Sequence, residues 1–202
     1  MRKQHITLNY FFTTVLSVSL LLSQTSCSSL TGDDDVLGST HFYSLSALPP
    51  ASNNQSNLKL GVGPIEIPRL LNRPQIVSRK NDTEIQMSES HQWGGSFKEE
   101  LIQSITDNLS SLLKTDNIEQ YPWKFSFKPK YQIRIDIERL DGQQGKNIIL
   151  KARWRLLKNK NEVLVKRTVI NTPIQGKSYP AYVKAQSKAL ITLSKQISAQ
   201  IQ

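Results

Sequence analysis

The 202-residue sequence has one cysteine and three histidines, so few side chains are suited to disulfide or metal chemistry. A single cysteine cannot form a disulfide within the chain. The histidines are His5, His41 and His91, and no two of them stand at the spacing of metal ligands. The sequence also lacks the Gly-x-Ser-x-Gly turn of serine hydrolases and a glycine-rich phosphate loop. We therefore predict no catalytic residue, no metal site, no cofactor and no enzymatic activity.

The apolar run near the N-terminus, residues 11–22, is too short to cross a membrane. It has about a dozen residues, whereas a spanning helix needs roughly 20. Arg2 and Lys3 precede the run, and small or polar residues 24–26 follow it. A basic head, a short apolar centre and a small-residue exit are typical of a secretory signal. Residues 1–26 are therefore predicted to be a signal peptide, with an uncleaved membrane anchor as the alternative.

The single cysteine, Cys27, stands where this signal would be cut. Residues 24–27 resemble the lipobox of bacterial lipoproteins, in which cleavage leaves a lipidated cysteine at the new N-terminus. Thr25 and Ser26 fit the pattern, while Gln24 occupies a place where leucine is usual. The resemblance implies Cys27 as the lipid-attachment residue, carrying palmitate-type chains. The alternative is an ordinary signal cut nearby, which would leave a free thiol.

Ser28 follows the cysteine, and this position influences sorting in bacterial lipoproteins. By the rule for enteric-type bacteria, aspartate there favours the inner membrane. Ser28 therefore implies a lipid-anchored protein of the outer membrane that faces the periplasm, with the inner membrane as the alternative. The polar residues 27–40 are predicted to form the lipidated N-terminus and a flexible tether.

The net charge of the chain is +10, and it stays strongly positive when Arg2 and Lys3 leave with the signal. Nucleic acid is a common partner for such a charge, but an exported protein rarely meets it. Anionic lipid head groups or an acidic protein are better partners in the envelope. A basic surface without any dedicated partner is the alternative. The candidate basic face is predicted on the late strands, at Lys151, Arg153, Arg155 and Lys166.

Residues 41–202 are predicted to form one α+β domain with two layers. An antiparallel sheet would carry two amphipathic helices on one face. A capping pair, Ser96 and Glu99, predicts the start of the first helix, and an apolar stripe predicts the second helix over residues 179–201. Turn-forming residues 141–145 are expected between two strands. Strands are predicted at residues 41–45, 58–62, 76–79, 84–87, 131–138, 148–156 and 163–169.

Several short motifs, taken in chain order after the lipobox, point to one lipoprotein family. They are Phe42-Tyr43-Ser44-Leu45, Val62-Gly63-Pro64-Ile65-Glu66-Ile67-Pro68, Leu70-Leu71, Arg73-Pro74-Gln75-Ile76-Val77, Trp93 before an amphipathic helix, and Trp154-Arg155-Leu156. Together they resemble the PqiC-type family, the auxiliary lipoproteins of ABC-type or MCE-domain transport systems. The resemblance covers essentially the whole of residues 41–202. One departure is Gly94-Gly95-Ser96, where the family often has a proline.

The resemblance implies a non-enzymatic role in an intermembrane lipid-transport system that supports membrane integrity. The partners would be an MCE-domain protein anchored in the inner membrane and, through it, a permease. A ring-like homo-oligomer would fit a tubular partner. The alternatives are a general envelope assembly or stress lipoprotein that binds another periplasmic protein, a periplasmic hydrolase, and a lipid carrier with its own cavity.

The candidate partner-contact residues lie in the proline-rich segment 64–77 and just before the first helix. They are Arg69, Arg73, Pro74 and Trp93. Arginine and tryptophan are enriched where partners bind. Each has a structural alternative: the segment would be a connector along a sheet edge, and Trp93 would anchor a loop to the core.

Overall fold

The computed structural model describes residues 39–53 and 55–201. The predictions for the signal peptide, for Cys27 and for the tether up to residue 38 lie outside the described residues. The elements are, in chain order, β1 His41–Tyr43, β2 Leu60–Glu66, β3 Gln75–Arg79, β4 Ile85–Trp93, α1 Phe97–Leu113, β5 Ile118–Gln120, β6 Tyr131–Gln143, β7 Asn147–Lys158, β8 Asn161–Pro173 and α2 Tyr179–Ser198. The predicted two helices and one sheet are present, with more strand than expected.

All eight strands belong to one sheet, and β6 is its central strand. Strand β7 pairs with β6 along its whole length, and β8 pairs with β7. The other edge of β6 is shared, because β2 pairs with its first half and β3 meets it at Gln143. From there the sheet continues through β4 to β1 on one side and through β2 to β5 on the other.

The prediction of an antiparallel sheet is only partly confirmed, because the sheet is mixed. The β3–β4 hairpin and the β6–β7–β8 meander are antiparallel. The β1–β4, β2–β5, β2–β6 and β3–β6 pairs are parallel. Short turns force neighbouring strands to run antiparallel, whereas long connections that include a helix permit parallel pairing. The segments that separate β2 from β5 and from β6 in the sequence are of the second kind, because both include α1.

Both helices begin at the predicted residues, and their apolar stripes are buried as predicted. The Ser96 side chain accepts the Glu99 backbone N–H at 3.4 Å, and Ser178 caps α2 in the same way. Capping serines satisfy amide groups that have no partner inside the helix. The apolar stripes of both helices are buried together with the inward residues of the sheet, including Ile133 and Trp154. The opposite sheet face is open to solvent along β6, β7 and β8.

Strand β6 continues through the segment that was predicted to be a turn. Asp141 and Gly142 lie inside the strand, and the turn follows at residues 144–146. Asp141 is 2 % exposed, and its Oδ1 accepts hydrogen bonds from Arg79 Nε and Arg139 Nε, each at 2.7 Å. A Cβ atom at Gly142 would overlap the carbonyl group of Asn147. Tertiary partners therefore override the turn composition of this segment.

A buried tyrosine extends this polar cluster from the sheet to α2. The Tyr182 O–H donates to the Val77 carbonyl oxygen at 2.9 Å, and its oxygen accepts the Gly142 N–H at 2.9 Å. Burial raises the pKa of Tyr182, so the phenol stays neutral. Hydrogen bonding to Asp141 raises the pKa of Arg79. The cluster fastens β3 to β6 at a junction where the two strands share a single ladder position.

Candidate docking surfaces

The segment between β2 and β3 forms a turn-rich connector, residues 67–74, on the protein surface. Arg69 and Pro74 are exposed, whereas Leu71 is 4 % exposed and belongs to the core. The Leu71 N–H donates to the Pro68 carbonyl oxygen at 2.9 Å, and the Arg73 N–H donates to the Leu71 carbonyl oxygen at 3.0 Å. Leu71 thus holds the connector on the core and leaves Arg69 and Pro74 exposed.

Arg73 is half-buried in this connector and has unused hydrogen-bonding capacity. Its Nη1 lies 2.6 Å from Sδ of Met87, a β4 residue that is 44 % exposed. Thioether sulfur is only a weak acceptor. Its Nε is buried and has no acceptor among the residues that the structure describes. Buried polar atoms are nearly always paired, so an outside acceptor would complete this guanidinium once a small shift of the side chain exposes Nε.

Trp93 lies behind the connector and not on its surface. The side chain is 4 % exposed and stacks on Phe97 with ring centroids 4.5 Å apart. Its backbone N–H donates to the Pro74 carbonyl oxygen at 2.7 Å. The structure therefore brings Arg69, Arg73 and Pro74 together on the outside and places Trp93 in the core. This is the geometry of the structural alternative for Trp93, in which the ring anchors the loop from within.

Four aromatic rings form a cluster at β1, namely His41 and Tyr43 of the strand itself, His91 of β4 and Tyr179 of α2. His41 pairs with His91 across the parallel β1–β4 ladder, and their ring centroids are 5.1 Å apart. The His91 ring lies 3.8 Å from Tyr179 and stacks on Tyr43 at 5.7 Å. Its Nδ1 lies 3.1 Å from the Ser90 hydroxyl. Burial lowers the pKa of His91, and the neighbouring His41 lowers it further.

Acid is expected to weaken the packing of β1 through His91. Because the folded protein binds this proton less readily than the unfolded chain, the stabilisation is full above pH about 6.5 and is lost as the pH falls below it. The thermal midpoint of the wild type should fall between pH about 7.5 and about 5.5 by more than that of His91→Gln. Equal pH dependence of the two proteins would show that His91 does not contribute.

After β1 the chain forms a strap across the two helices, held by side chains that the sequence analysis did not single out. The backbone N–H groups of Leu45, Ser46 and Leu48 donate to Glu100 Oε2, Ser187 Oγ and Asn108 Oδ1 at 2.9, 3.1 and 2.8 Å. An open depression of about 230 Å³ lies between the strap and α2. Ligand pockets usually measure about 300–1,000 Å³, so this depression does not support a lipid carrier.

The solvent face of β6–β8 is less basic than its sequence suggests. Arg155 lies 3.3 Å from Asp136 and 3.6 Å from Glu162. Lys166 is opposite Trp154 in the β7–β8 ladder, and its Nζ lies 5.9 Å from the centre of that buried ring. Cross-strand partners share a sheet face, so the prediction that Lys166 joins the solvent face is wrong. Ion pairs and this placement make the face a weaker candidate than the connector.

Across residues 39–53 and 55–201, no three His, Cys, Asp or Glu side chains are grouped as metal ligands. In the same part of the chain no helix is long and apolar enough to cross a membrane. The candidate surfaces described above are the connector, the ring cluster at β1 and the sheet face.

Comparison of the sequence with models of protein families identifies the family of this chain. The sequence model of a family described as the ABC-type transport auxiliary lipoprotein component matches residues 43–198. The chain belongs to this family. The PqiC-type resemblance is thereby confirmed. Because the match runs from Tyr43 to Ser198, it includes the connector, the strap and both helices, which are thus parts of the auxiliary-lipoprotein domain.

Solved structures with the same fold support the architecture. An uncharacterized protein superposes with a TM-score of 0.68 at 16 % identity, over 81 % of this chain and 99 % of its own. Protein XCC0632 from Xanthomonas campestris superposes with a TM-score of 0.65 at 17 % identity, over 80 % and 94 %. At such identities the likeness concerns the fold alone. Among curated proteins, no sequence matches the chain.

Proposed function

We propose that this auxiliary lipoprotein is a non-enzymatic component of an MCE-domain intermembrane lipid-transport system. Lipid on Cys27 would anchor it in the outer membrane, where the domain faces the periplasm. It would bind the far end of an MCE-domain protein that is connected to a permease in the inner membrane. The observation that carries the proposal is membership of the ABC-type transport auxiliary lipoprotein family over residues 43–198. A homo-oligomer stays a prediction.

The surface proposed to bind the partner is the 67–74 connector. The half-buried Arg73 offers an Nε–H without an acceptor among the described residues, the nearby connector residue Arg69 adds an exposed cation, and Met87 adds exposed apolar surface beside Arg73. Arginine binds carboxylates through paired hydrogen bonds, and methionine adapts to irregular apolar surfaces. A partner segment with a carboxylate next to an apolar residue would satisfy all three groups.

Replacing Arg73 tests this surface. Arg73→Ala is expected to weaken binding of the partner by about 2 kcal/mol, or roughly 30-fold, because truncating a desolvated charge leaves its partner unpaired. Affinity would be measured with the purified lipoprotein and the periplasmic part of an MCE-domain protein from the same organism. Arg153→Ala, an exposed arginine on the solvent face of β7, is the matched control and should bind normally. Equal affinities for the two variants would exclude the connector.

A further inference from the structure

The loop between β5 and β6, residues 121–130, has an unusual composition. Its sequence is Tyr-Pro-Trp-Lys-Phe-Ser-Phe-Lys-Pro-Lys, with four aromatic residues, three lysines and no acidic residue. Aromatic residues are only 7 % of the whole chain. The function proposed above uses none of these side chains.

Three of the four aromatic rings form a platform on the sheet. A Cβ atom at Gly61 of β2 would come within 2.7 Å of the Trp123 ring, so the glycine makes room for the indole. Leu60 and Val62 face the core, and side chains alternate along a strand. Trp123 therefore covers β2 on the face away from the helices. The rings of Tyr121 and Phe127 pack edge-on against Trp123, with centroids 5.5 and 6.3 Å away.

The fourth aromatic residue, Phe125, stands at the tip of the loop and is 99 % exposed. The Phe127 N–H donates to the Lys124 carbonyl oxygen at 2.9 Å, which closes a turn with Phe125 and Ser126 at its centre. The Lys124 N–H is also directed at the Glu119 carboxylate, 3.4 Å away. The platform and the turn thus hold an apolar ring out in solvent. Tyr121 of the platform is also exposed, at 54 %, so the loop presents more than one isolated aromatic ring to solvent.

Positive charge flanks the tip on both sides. Lys124 and Lys128 are exposed, and neither forms a salt bridge with any residue that the structure describes. Lys130 is also exposed, and its Nζ lies 5.6 Å from the centre of the Tyr131 ring. Aromatic side chains next to lysines are typical of the membrane interface, where rings enter the head-group layer and lysines bind anionic lipids.

We propose that residues 121–130 form a second membrane contact, in which Phe125 enters the interface of a bilayer that contains anionic lipids. Lys124 and Lys128 then bind the head groups, and the platform of Trp123 on Gly61 keeps the loop rigid. A lipid anchor holds the protein near the membrane, and this loop sets the orientation of the domain on it. The inference needs the membrane anchor but no transport partner.

The test places a fluorescent probe at the tip of the mature, lipidated protein. Cys27 is the only cysteine of the chain, and its thiol is consumed by lipidation, so Ser126→Cys supplies the only reactive thiol. Mass spectrometry first verifies the lipid, which keeps failure of the anchor separate from failure of the loop. The labelled protein is then reconstituted on vesicles of phosphatidylethanolamine with phosphatidylglycerol, or of phosphatidylcholine alone.

On the anionic vesicles we expect a several-fold rise in probe emission and quenching by spin-labelled lipid. The rise should be clearly smaller on the neutral vesicles. The double variant Lys124→Glu, Lys128→Glu should reduce the signal on anionic vesicles to the neutral level. The matched control Lys184→Glu, Lys188→Glu makes the same charge change on the exposed side of α2 and should leave the signal unchanged.

A second pair of variants separates the apolar contribution from the charges. Phe125→Ser should reduce lipid quenching of the probe, whereas Val163→Ser, at an exposed valine of β8, should not. Emission that is the same on both kinds of vesicle would overturn the proposal. A rise in emission without quenching by spin-labelled lipid would also overturn it, because the tip would then lie against protein.

Discussion

Asp141→Ala is expected to lower the free energy of unfolding by about 3–5 kcal/mol, because it leaves two arginines beside a buried site without their counter-charge. The carboxylate is 3 % exposed and accepts from both Arg79 and Arg139 through one oxygen. Both bonds lie at the junction where β3 joins β6 through a single ladder position. Loss of this charge should therefore loosen β3 and β4 together with the connector that precedes them. Chemical denaturation of the purified protein measures the effect.

Asp136→Ala is the matched control for this experiment. Asp136 lies on the same strand, but its side chain is 45 % exposed and its ion pair with Arg155 is open to solvent. Exposed ion pairs contribute about 0–1 kcal/mol, so the control should be close to the wild type. Similar losses in the two variants would show that the buried cluster has no special role in joining the strands.

Cys27→Ala is expected to abolish incorporation of labelled palmitate and to remove the protein from the outer-membrane fraction. A single acyl chain holds a protein only marginally, whereas the several chains of a lipoprotein hold it firmly. The variant has no acyl chain, and we expect it to accumulate as an unprocessed precursor that its uncleaved signal holds at the inner membrane. Metabolic labelling of cells and fractionation of their membranes measure the two effects.

Ser26→Ala is the control for Cys27, since it keeps a small residue before the cysteine and should be labelled normally. Labelling of the Cys27→Ala variant would contradict the assignment of the lipid to this residue. A wild-type protein that takes up no label would favour the alternative of an ordinary signal with a free thiol. The same labelling experiment shows whether Gln24 slows processing.

The two helices could be predicted from the sequence because their signals are local. Ser96 and Glu99 mark the start of α1, and Leu101, Ile105 and Leu109 repeat at helical spacing. The strand predicted at residues 131–138 is too short, because β6 continues to Gln143. Asp141 and Gly142 have the composition of a turn, but Arg79 comes from a strand 62 positions earlier and keeps the aspartate in the sheet. No local pattern contains that contact.

The parallel pairs of the sheet could not be predicted for a similar reason. Alternation shows which side of a strand is buried, but it does not show which strand lies beside it. Strand β5 has only three residues and no alternation to detect, although it covers the edge of β2. The β3–β4 hairpin and the meander were predictable because each turn is short.

Some features of the candidate sites could likewise be predicted from the sequence, and others depend on tertiary packing. Proline and arginine in the connector indicate a surface segment, and the structure places Arg69, Arg73 and Pro74 there. Trp93 cannot be assigned from the sequence, because a tryptophan before a helix suits either a core or a contact. The aromatic and lysine residues of 121–130 are visible in the sequence, but the exposure of Phe125 depends on the packing of Trp123 against Gly61.

The strap, the loop 121–130 and the connector would have separate roles in the proposed transport system. The backbone N–H groups of the strap donate to the side chains of Glu100, Asn108 and Ser187, and these bonds fix the first residues of the domain to both helices. The loop 121–130 would then fix the orientation, which leaves the connector to bind the partner.

The measurement that tests this account most directly is chemical crosslinking of the intact lipoprotein in its native envelope, followed by mass spectrometry of the captured proteins. We expect an MCE-domain protein among them, with crosslinks at Glu66, the exposed carboxylate next to the 67–74 connector, because the connector itself has no amine, carboxyl or thiol side chain. Capture of other envelope proteins, with no MCE-domain protein at any crosslinker length, would contradict the transport role and leave only membership of the lipoprotein family.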